Sequence, residues 1–275
     1  MVAGWGDERP IGMFDSGLGG LTVARAVIDL LPWEHLVYVG DTLRYPYGPR
    51  PLAEVARFAH QISRLLVEEH GVKLVVVACN TAAAAALDEL QAALAVPVVG
   101  VIEPGVRASV KVSEGGRIGV IATIGTVASG AYQRAFAAAG GERLELTCAA
   151  CPGFVEFVER GDVRSDQVTV LAERLLAPVV SAKVDTLLLG CTHYPFLART
   201  ISDVVGRDVV LVSSADETAF EVAGLLVSSD AARPEGGPPA VHRFLSSGPV
   251  ASFRDLGQAL LGPEVTDVEH VTWPA

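Results

Sequence analysis

The sequence predicts an α/β protein of two pseudo-symmetric domains, each built on a parallel sheet, with a cleft between them. Three observations carry that prediction. Short runs that are apolar on both faces alternate with helical patterns, as in a parallel sheet covered on both sides. The pattern then restarts: "GRIGVIATIGTVASGAYQRAF" (116–136) repeats the order of "RPIGMFDSGLGGLTVARAV" (9–27), with a basic residue, Ile-Gly, an apolar strand, a small polar turn and an amphipathic helix. Finally, each half has an apolar run ending in cysteine. The separation is 107 residues from Ile11 to Ile118 and 112 from Cys79 to Cys191, so two landmarks recur at nearly one spacing. The halves read as diverged copies of one βα unit.

The elements follow in order. "RPIGMFD" is a strand and "GLTVARAVIDLLP" a helix with apolar positions at helical spacing. "HLVYVGD" is the second strand, and a long helix covers roughly residues 51–70. "VKLVVVAC" is a strand, "TAAAAALDELQAALA" a helix, and "VPVVGVI" a strand again. A break is expected near "VIEPGVRAS", and the second domain runs to the strand "RDVVLVSS". Beyond it, "ADETAFEVAGLLVSSD" reads as a helix and "AARPEGGPPA" as a surface loop. The tail from Val241 has too few elements to stand alone and is expected to pack back on the first domain. The expected domains are therefore 1–102 with 213–275, and 103–212.

Composition excludes several classes. Half of the 275 residues are hydrophobic and only 19% are charged, which argues against disorder. The apolar runs are too short to cross a bilayer, and "MVAGWGDERP" lacks the basic and apolar regions of a signal peptide. The expectation is a soluble cytoplasmic protein. A net charge of −11, without a Lys or Arg run, argues against a nucleic-acid surface. It also means that an anionic substrate must be held by local dipoles. Four cysteines are too few for a disulfide scaffold, so they are expected to be buried, reactive or metal-bound.

Cys79 and Cys191 carry the chemistry. Both close apolar strands, and ligands of open α/β sheets collect at the carboxyl ends of strands, where helix N-termini point. A thiol there is expected to have a lowered pKa. If the halves are related by a pseudo-two-fold, the two thiols approach one substrate from opposite faces. Inverting a stereocentre by proton transfer needs a base on one face and an acid on the other, with the roles exchanged in reverse. Either cysteine alone reads as a small buried hydrophobe; the matched pair, followed by Asn80-Thr81 and Thr192-His193, points to chemistry. Asp15 and Ser16 end the first strand, and Tyr47 and Gly48 lie in the turn "YPYGPR". Each has a plain alternative as a helix cap or turn residue, yet hydroxyls and turn N–H groups also suit an amino-acid carboxylate.

Three motifs are weighed and set aside. "GLGGLT" is a near miss to a dinucleotide loop, with Asp41 as its ribose-binding acid. "CAAC" (Cys148, Cys151) has the spacing of a zinc or redox pair, but no partner pair exists. "ASGAYQ" lacks the second glycine of a nucleophile elbow.

Together, "FDSGLGGLTV", "GDTLRYPYG", "ACNTA", "IGVIATIGTVASGAY", "CPGFVEFVERG" and "LLLGCTHYP" resemble the glutamate racemases, collinearly from about residue 11 to about residue 225. The resemblance implies cofactor-independent interconversion of L- and D-glutamate, supplying D-glutamate for peptidoglycan. It implies that Cys79 takes the α-proton from D-glutamate and Cys191 from L-glutamate, with Asp15 and His193 assisting the thiols in turn, one beside each face. Glu159 matches a carboxylate tied to the second side. Asp15, Ser16, Tyr47, Gly48, Asn80, Thr81, Thr192 and His193 match the substrate-holding set, with Thr123 and Thr126 as additions. Cys148 matches no family role. The resemblance further implies a homodimer, no membrane or metal, and DNA gyrase as a candidate partner. Aspartate racemases typically carry an acidic residue where this chain has His193, and the "PYG" turn also favours glutamate. A nicotinamide-dependent oxidoreductase would rest on "GLGG" and Asp41 alone. An idle binding protein fits poorly with an intact thiol pair.

Overall fold

The apolar runs of the first half form parallel strands β1 (Ile11–Asp15), β2 (Leu36–Gly40), β3 (Leu74–Val77) and β4 (Val98–Gly100), side by side as β2-β1-β3-β4. Those of the second half form β5 (Arg117–Ala122), β6 (Glu145–Ala150), β7 (Thr186–Gly190) and β8 (Val210–Val212), ordered β6-β5-β7-β8. Each half therefore sets its first strand between its second and third, as duplication requires. All ladders are parallel. Every residue of β1, β2, β3 and β7 is buried, which is why these strands read as unbroken apolar runs rather than alternations. The structure is a computed structural model that describes residues 6–140 and 144–273. Residues 1–5, where no leader is expected, and 274–275 at the end of the tail lie outside the described residues.

Helices α1 (Leu21–Leu30), α2 (Leu52–Glu68) and α3 (Asn80–Ala93) connect the first four strands. The segment "VIEPGVRAS", near which the domain boundary is expected, lies in a helix, α4 (Ile102–Val112), packed against the second lobe and buried at Val106 and Ser109. The small turn after β5 is also helical. In α5 (Ile124–Ala128) the N-cap Thr123 accepts the Thr126 N–H, satisfying a free helix donor. Helices α6 (Ala131–Gly140), α7 (Phe154–Glu159), α8 (Asp166–Ser181) and α9 (Ala198–Val205) complete the second lobe, and α10 (Ala215–Ser228) returns to pack on α1.

The tail contributes β9 (His242–Ser246), which pairs with β2, and β10 (Val268–His270), which pairs with β9. Helix α11 (Val250–Leu261) joins them. The first sheet is thus six-stranded, β10-β9-β2-β1-β3-β4. No helix among the described residues is long and apolar enough to cross a membrane. What matters for the site is that β1, β3, β5 and β7 all end on one cleft.

Candidate active site

Each thiol sits where an apolar strand stops. Cys79 follows β3 as the N-cap of α3, and Cys191 follows β7; both are buried. They line one cavity together with Asp15, Ser16, Tyr47, Gly48, Asn80, Thr81, Thr192 and His193. Thus the residues singled out in the sequence come together, Thr123 included, apart from Glu159, which bonds His193, and Thr126, which bonds Thr81 and Thr123. The cavity is about 20 Å³, room for roughly one water molecule. A neighbouring recess of about 50 Å³ shares Pro46, Gly48, Thr123 and Val155 with it and extends along Ile124, Gly153 and Glu156.

The two thiols have different surroundings. Cys79 Sγ lies 3.8 Å from the Ser16 hydroxyl. Its pKa is not lowered, as the helix N-terminus alone suggests, but pushed up to about 12. Burial is the main cause and the Asp15 charge adds to it, while the Ala82 N–H of α3 works against both without prevailing. Cys191 departs from expectation in another way. It precedes no α-helix but a 3₁₀ turn, Tyr194–Leu197, and its polar neighbour is His193 Nδ1 at 3.8 Å.

His193 is a bridge. Its Nε2 donates to Glu159 Oε1 at 2.8 Å, so the ring is held between carboxylate and thiol. Burial opposes its charging, but the bonds to Cys191 and Glu159 and the Asp15 charge outweigh it and raise the imidazole pKa well above its ordinary value. Asp15 is fully buried, and burial raises its pKa despite nearby His193. One oxygen accepts the Gly17 N–H at 2.8 Å; the other accepts the Thr192 hydroxyl at 3.2 Å, across the cleft.

A polar cradle faces the thiols. The hydroxyls of Thr81, Thr123 and Thr126 form a buried triangle with edges of 2.9, 3.2 and 2.9 Å. It stands at the N-termini of α3 and α5, one from each lobe, where backbone dipoles favour a carboxylate. Asn80 Nδ2 donates to the Tyr132 hydroxyl at 2.8 Å, while Asn80 Oδ1 is buried without a partner. The Tyr47 hydroxyl is not free for a ligand. It donates to Asp41, while the Tyr47-Gly48 turn lines the cavity.

The set-aside motifs have structural explanations. Asp41 is no ribose ligand: Arg44 and Tyr47 occupy Oδ2, while Ser247 and Trp273 donate to Oδ1 at 2.7 and 2.8 Å. Gly19 of "GLGG" serves close packing, because a Cβ there would lie 2.3 Å from His193 Nδ1. Cys148 and Cys151 are unpaired thiols raised by burial to about 11 and about 12. Among the described residues no group of three or more His, Cys, Asp or Glu could hold a metal ion. Sequence reasoning missed Pro46 and Val155 as lining residues, and Tyr132 altogether. All three lie inside quoted motifs, Pro46 in "YPYGPR", Val155 in "CPGFVEFVERG" and Tyr132 in "ASGAYQ", but an apolar or aromatic side chain there has no pattern that separates lining from packing.

The Asp/Glu/Hydantoin racemase family model matches residues 21–221 of this chain. A glutamate racemase of Acidothermus cellulolyticus is 52% identical over 263 residues, 96% of this chain and 98% of that protein. The crystal structure of a glutamate racemase isoform from Bacillus anthracis superposes with a TM-score of 0.89 at 41% identity, covering 96% of this chain and 97% of that one. One from Francisella tularensis, in complex with D-glutamate, gives a TM-score of 0.89 at 33% identity over 97% and 98% of the two chains.

Proposed function

Because the chain belongs to the Asp/Glu/hydantoin racemase family, we propose that it is a glutamate racemase working by proton transfer between Cys79 and Cys191, without a cofactor. The observation that carries this reading is the convergence of the two thiols on one small, buried, polar cavity. A thiolate on one face removes the α-proton and the opposite thiol protonates the other face of the carbanion, so the cysteines exchange protonation states with each turnover. Raised His193 basicity favours an imidazolium whose Nδ1 stands 3.8 Å from the Cys191 sulfur, a proton donor and positive partner on that side of the site. Cys79, with its pKa near 12, rests as the thiol and acid. That Cys191 takes the proton from L-glutamate, and Cys79 from D-glutamate, rests on the sequence resemblance. Once deprotonated in the reverse direction, Cys79 is a strong base suited to a weak carbon acid.

Positioning and charge stabilisation supply the rest. The threonine triangle and the helix N-termini of α3 and α5 fit one substrate carboxylate, and the unpartnered Asn80 Oδ1 fits the ammonium. The Tyr47-Gly48 turn is left for the second carboxylate. No lysine is among the lining residues, so a pyridoxal Schiff base has no partner there. Glutamate exceeds a cavity of about 20 Å³, so residues 1–102 with 213–275 and residues 103–212 act as two bodies that part to admit it and close to exclude water. D-glutamate supply for peptidoglycan, by a cytoplasmic homodimer, rests on the sequence resemblance.

The test is incubation with L-glutamate in deuterium oxide without added cofactor, then with D-glutamate. Loss of optical rotation with α-deuterium in the inverted product is the expected result. Cys79→Ser and Cys191→Ser should each nearly abolish turnover while leaving the fold intact. Substantial turnover in both directions by either variant would overturn the two-thiol mechanism. Turnover of aspartate but not glutamate would keep the mechanism and change the substrate.

A further inference from the structure

Asn80 poses a problem of orientation. An asparagine amide has two unlike ends, a carbonyl that accepts and an NH2 that donates. In the cavity, the first would hold an ammonium and the second a carboxylate. Nothing within Asn80 selects between them; its environment must. The polar atom that meets its amide is the hydroxyl of Tyr132, which accepts from Nδ2 at 2.8 Å and leaves Oδ1, on a residue that lines the cavity, buried and unpartnered.

Tyr132 is well placed to hold that orientation. It is 1% exposed and is the second residue of α6. Its ring lies against the end of β7, so close that a Cβ on Gly190, the residue before Cys191, would come within 2.9 Å of Cε2. Burial keeps the phenol protonated and neutral, so it remains a hydrogen-bonding group rather than a charge. Moreover, Asn80 opens α3 in the first lobe while Tyr132 belongs to the second. Their bond spans the cleft.

We propose that Tyr132 is a positioning residue for substrate recognition: its hydroxyl orients the Asn80 carbonyl, across the cleft, to receive the ammonium of the bound amino acid. The inference rests on the racemase reading above. Tyr132 contributes to amine selectivity and does so only with the lobes together.

Tyr132→Phe is the test, since it removes one oxygen from a packed ring. The KM for L- and D-glutamate should rise about tenfold, the scale of a hydrogen bond to a charged group, with kcat changed less than threefold. Inhibition by glutarate, the diacid without an amine, should be unchanged. Asn80→Ala should show the same split, and the double variant should be no worse than Asn80→Ala alone. A Tyr132→Phe enzyme with unaltered KM, or one that loses glutarate and glutamate affinity equally, would overturn the proposal. If Tyr132→Phe fails to fold, Asn80→Ala still decides: weakened glutarate binding there would refute an ammonium-facing carbonyl. Failure of the wild type to racemise glutamate in the same assay would instead sink the racemase reading.

Discussion

At the scale of single residues, Asp15 and His193 are charged groups whose burial the fold handles in opposite ways. Asp15 is buried at a cost, because desolvation raises its pKa and the folded state prefers it protonated. Folding is therefore unpenalised below the ordinary aspartate range and loses stability as pH rises through the raised folded value. Asp15→Asn preserves the acceptor for Gly17 and the link to Thr192 while removing the charge. The variant should melt higher than the wild type at neutral pH, by about 2–4 °C for each kcal/mol relieved, and the gain should vanish near pH 3–4. Activity should fall sharply, as expected where a strained group serves function. Thermal melts across pH check the sign; a lower melting point at pH 7 would contradict it. His193 is the converse. Its raised pKa means that its charged form contributes stability below about pH 6.5, a contribution lost as pH rises through the folded value. His193→Asn should thus lose most stability on the acid side.

Among the elements, the decisive contacts are those where one lobe's loops meet the other's helix N-termini. The Gly48 carbonyl accepts the Gly125 N–H at 2.9 Å, and a Cβ on Gly48 would stand 2.9 Å from Thr123 Cβ. Only glycine lets the 46–49 turn approach α5 that closely. Gly48→Ala should hold the lobes apart by a fraction of an ångström and reduce kcat/KM about 10²-fold, the cost of a misplaced reacting geometry. The melting point should move little, since the contact lies at the rim of the cleft rather than in the core. Steady-state kinetics beside a melt would show it, and an unchanged kcat/KM would mean that the turn yields. This level also separates what sequence could and could not reveal. The doubly buried strands and the two strand-end cysteines were legible because burial on both faces leaves a local apolar signature. The raised Cys79 thiol was not, because the opposing burial and charge come from residues distant in sequence. Nor was the commitment of Tyr47 to Asp41, which also depends on Trp273, far along the chain. Strands β9 and β10 escaped because both are partly exposed and carry no long apolar run, β10 being a three-residue edge strand.

For the molecule as a whole, the acidic balance of −11 makes the few buried cations informative. Lys73 is one. Its ammonium is 2.6 Å from Glu34 with both side chains almost wholly buried, and it also donates to the carbonyls of Asp7 at 2.8 Å and Ala231 at 2.7 Å. Glu34 in turn accepts the Arg233 N–H at 2.8 Å. One ion pair therefore ties the chain before β1, the loop before β2, the start of β3 and the segment leading from α10 to β9. It lies among the segments that precede the strands, whereas the thiols lie where the strands end, so stability and chemistry occupy separate regions of the first sheet. Removing only the cation would leave a buried carboxylate and two carbonyls unpaired, and such disruptions cost about 3–5 kcal/mol. Lys73→Met is accordingly expected to lower the urea midpoint strongly while leaving KM unchanged at low temperature. Glu34→Leu combined with Lys73→Met should recover part of the loss, because a neutral apolar pair carries no uncompensated charge. The two single variants and the double variant form a cycle. If Lys73→Met unfolded at the wild-type midpoint, the four segments would be held by packing alone and the ion pair would contribute nothing.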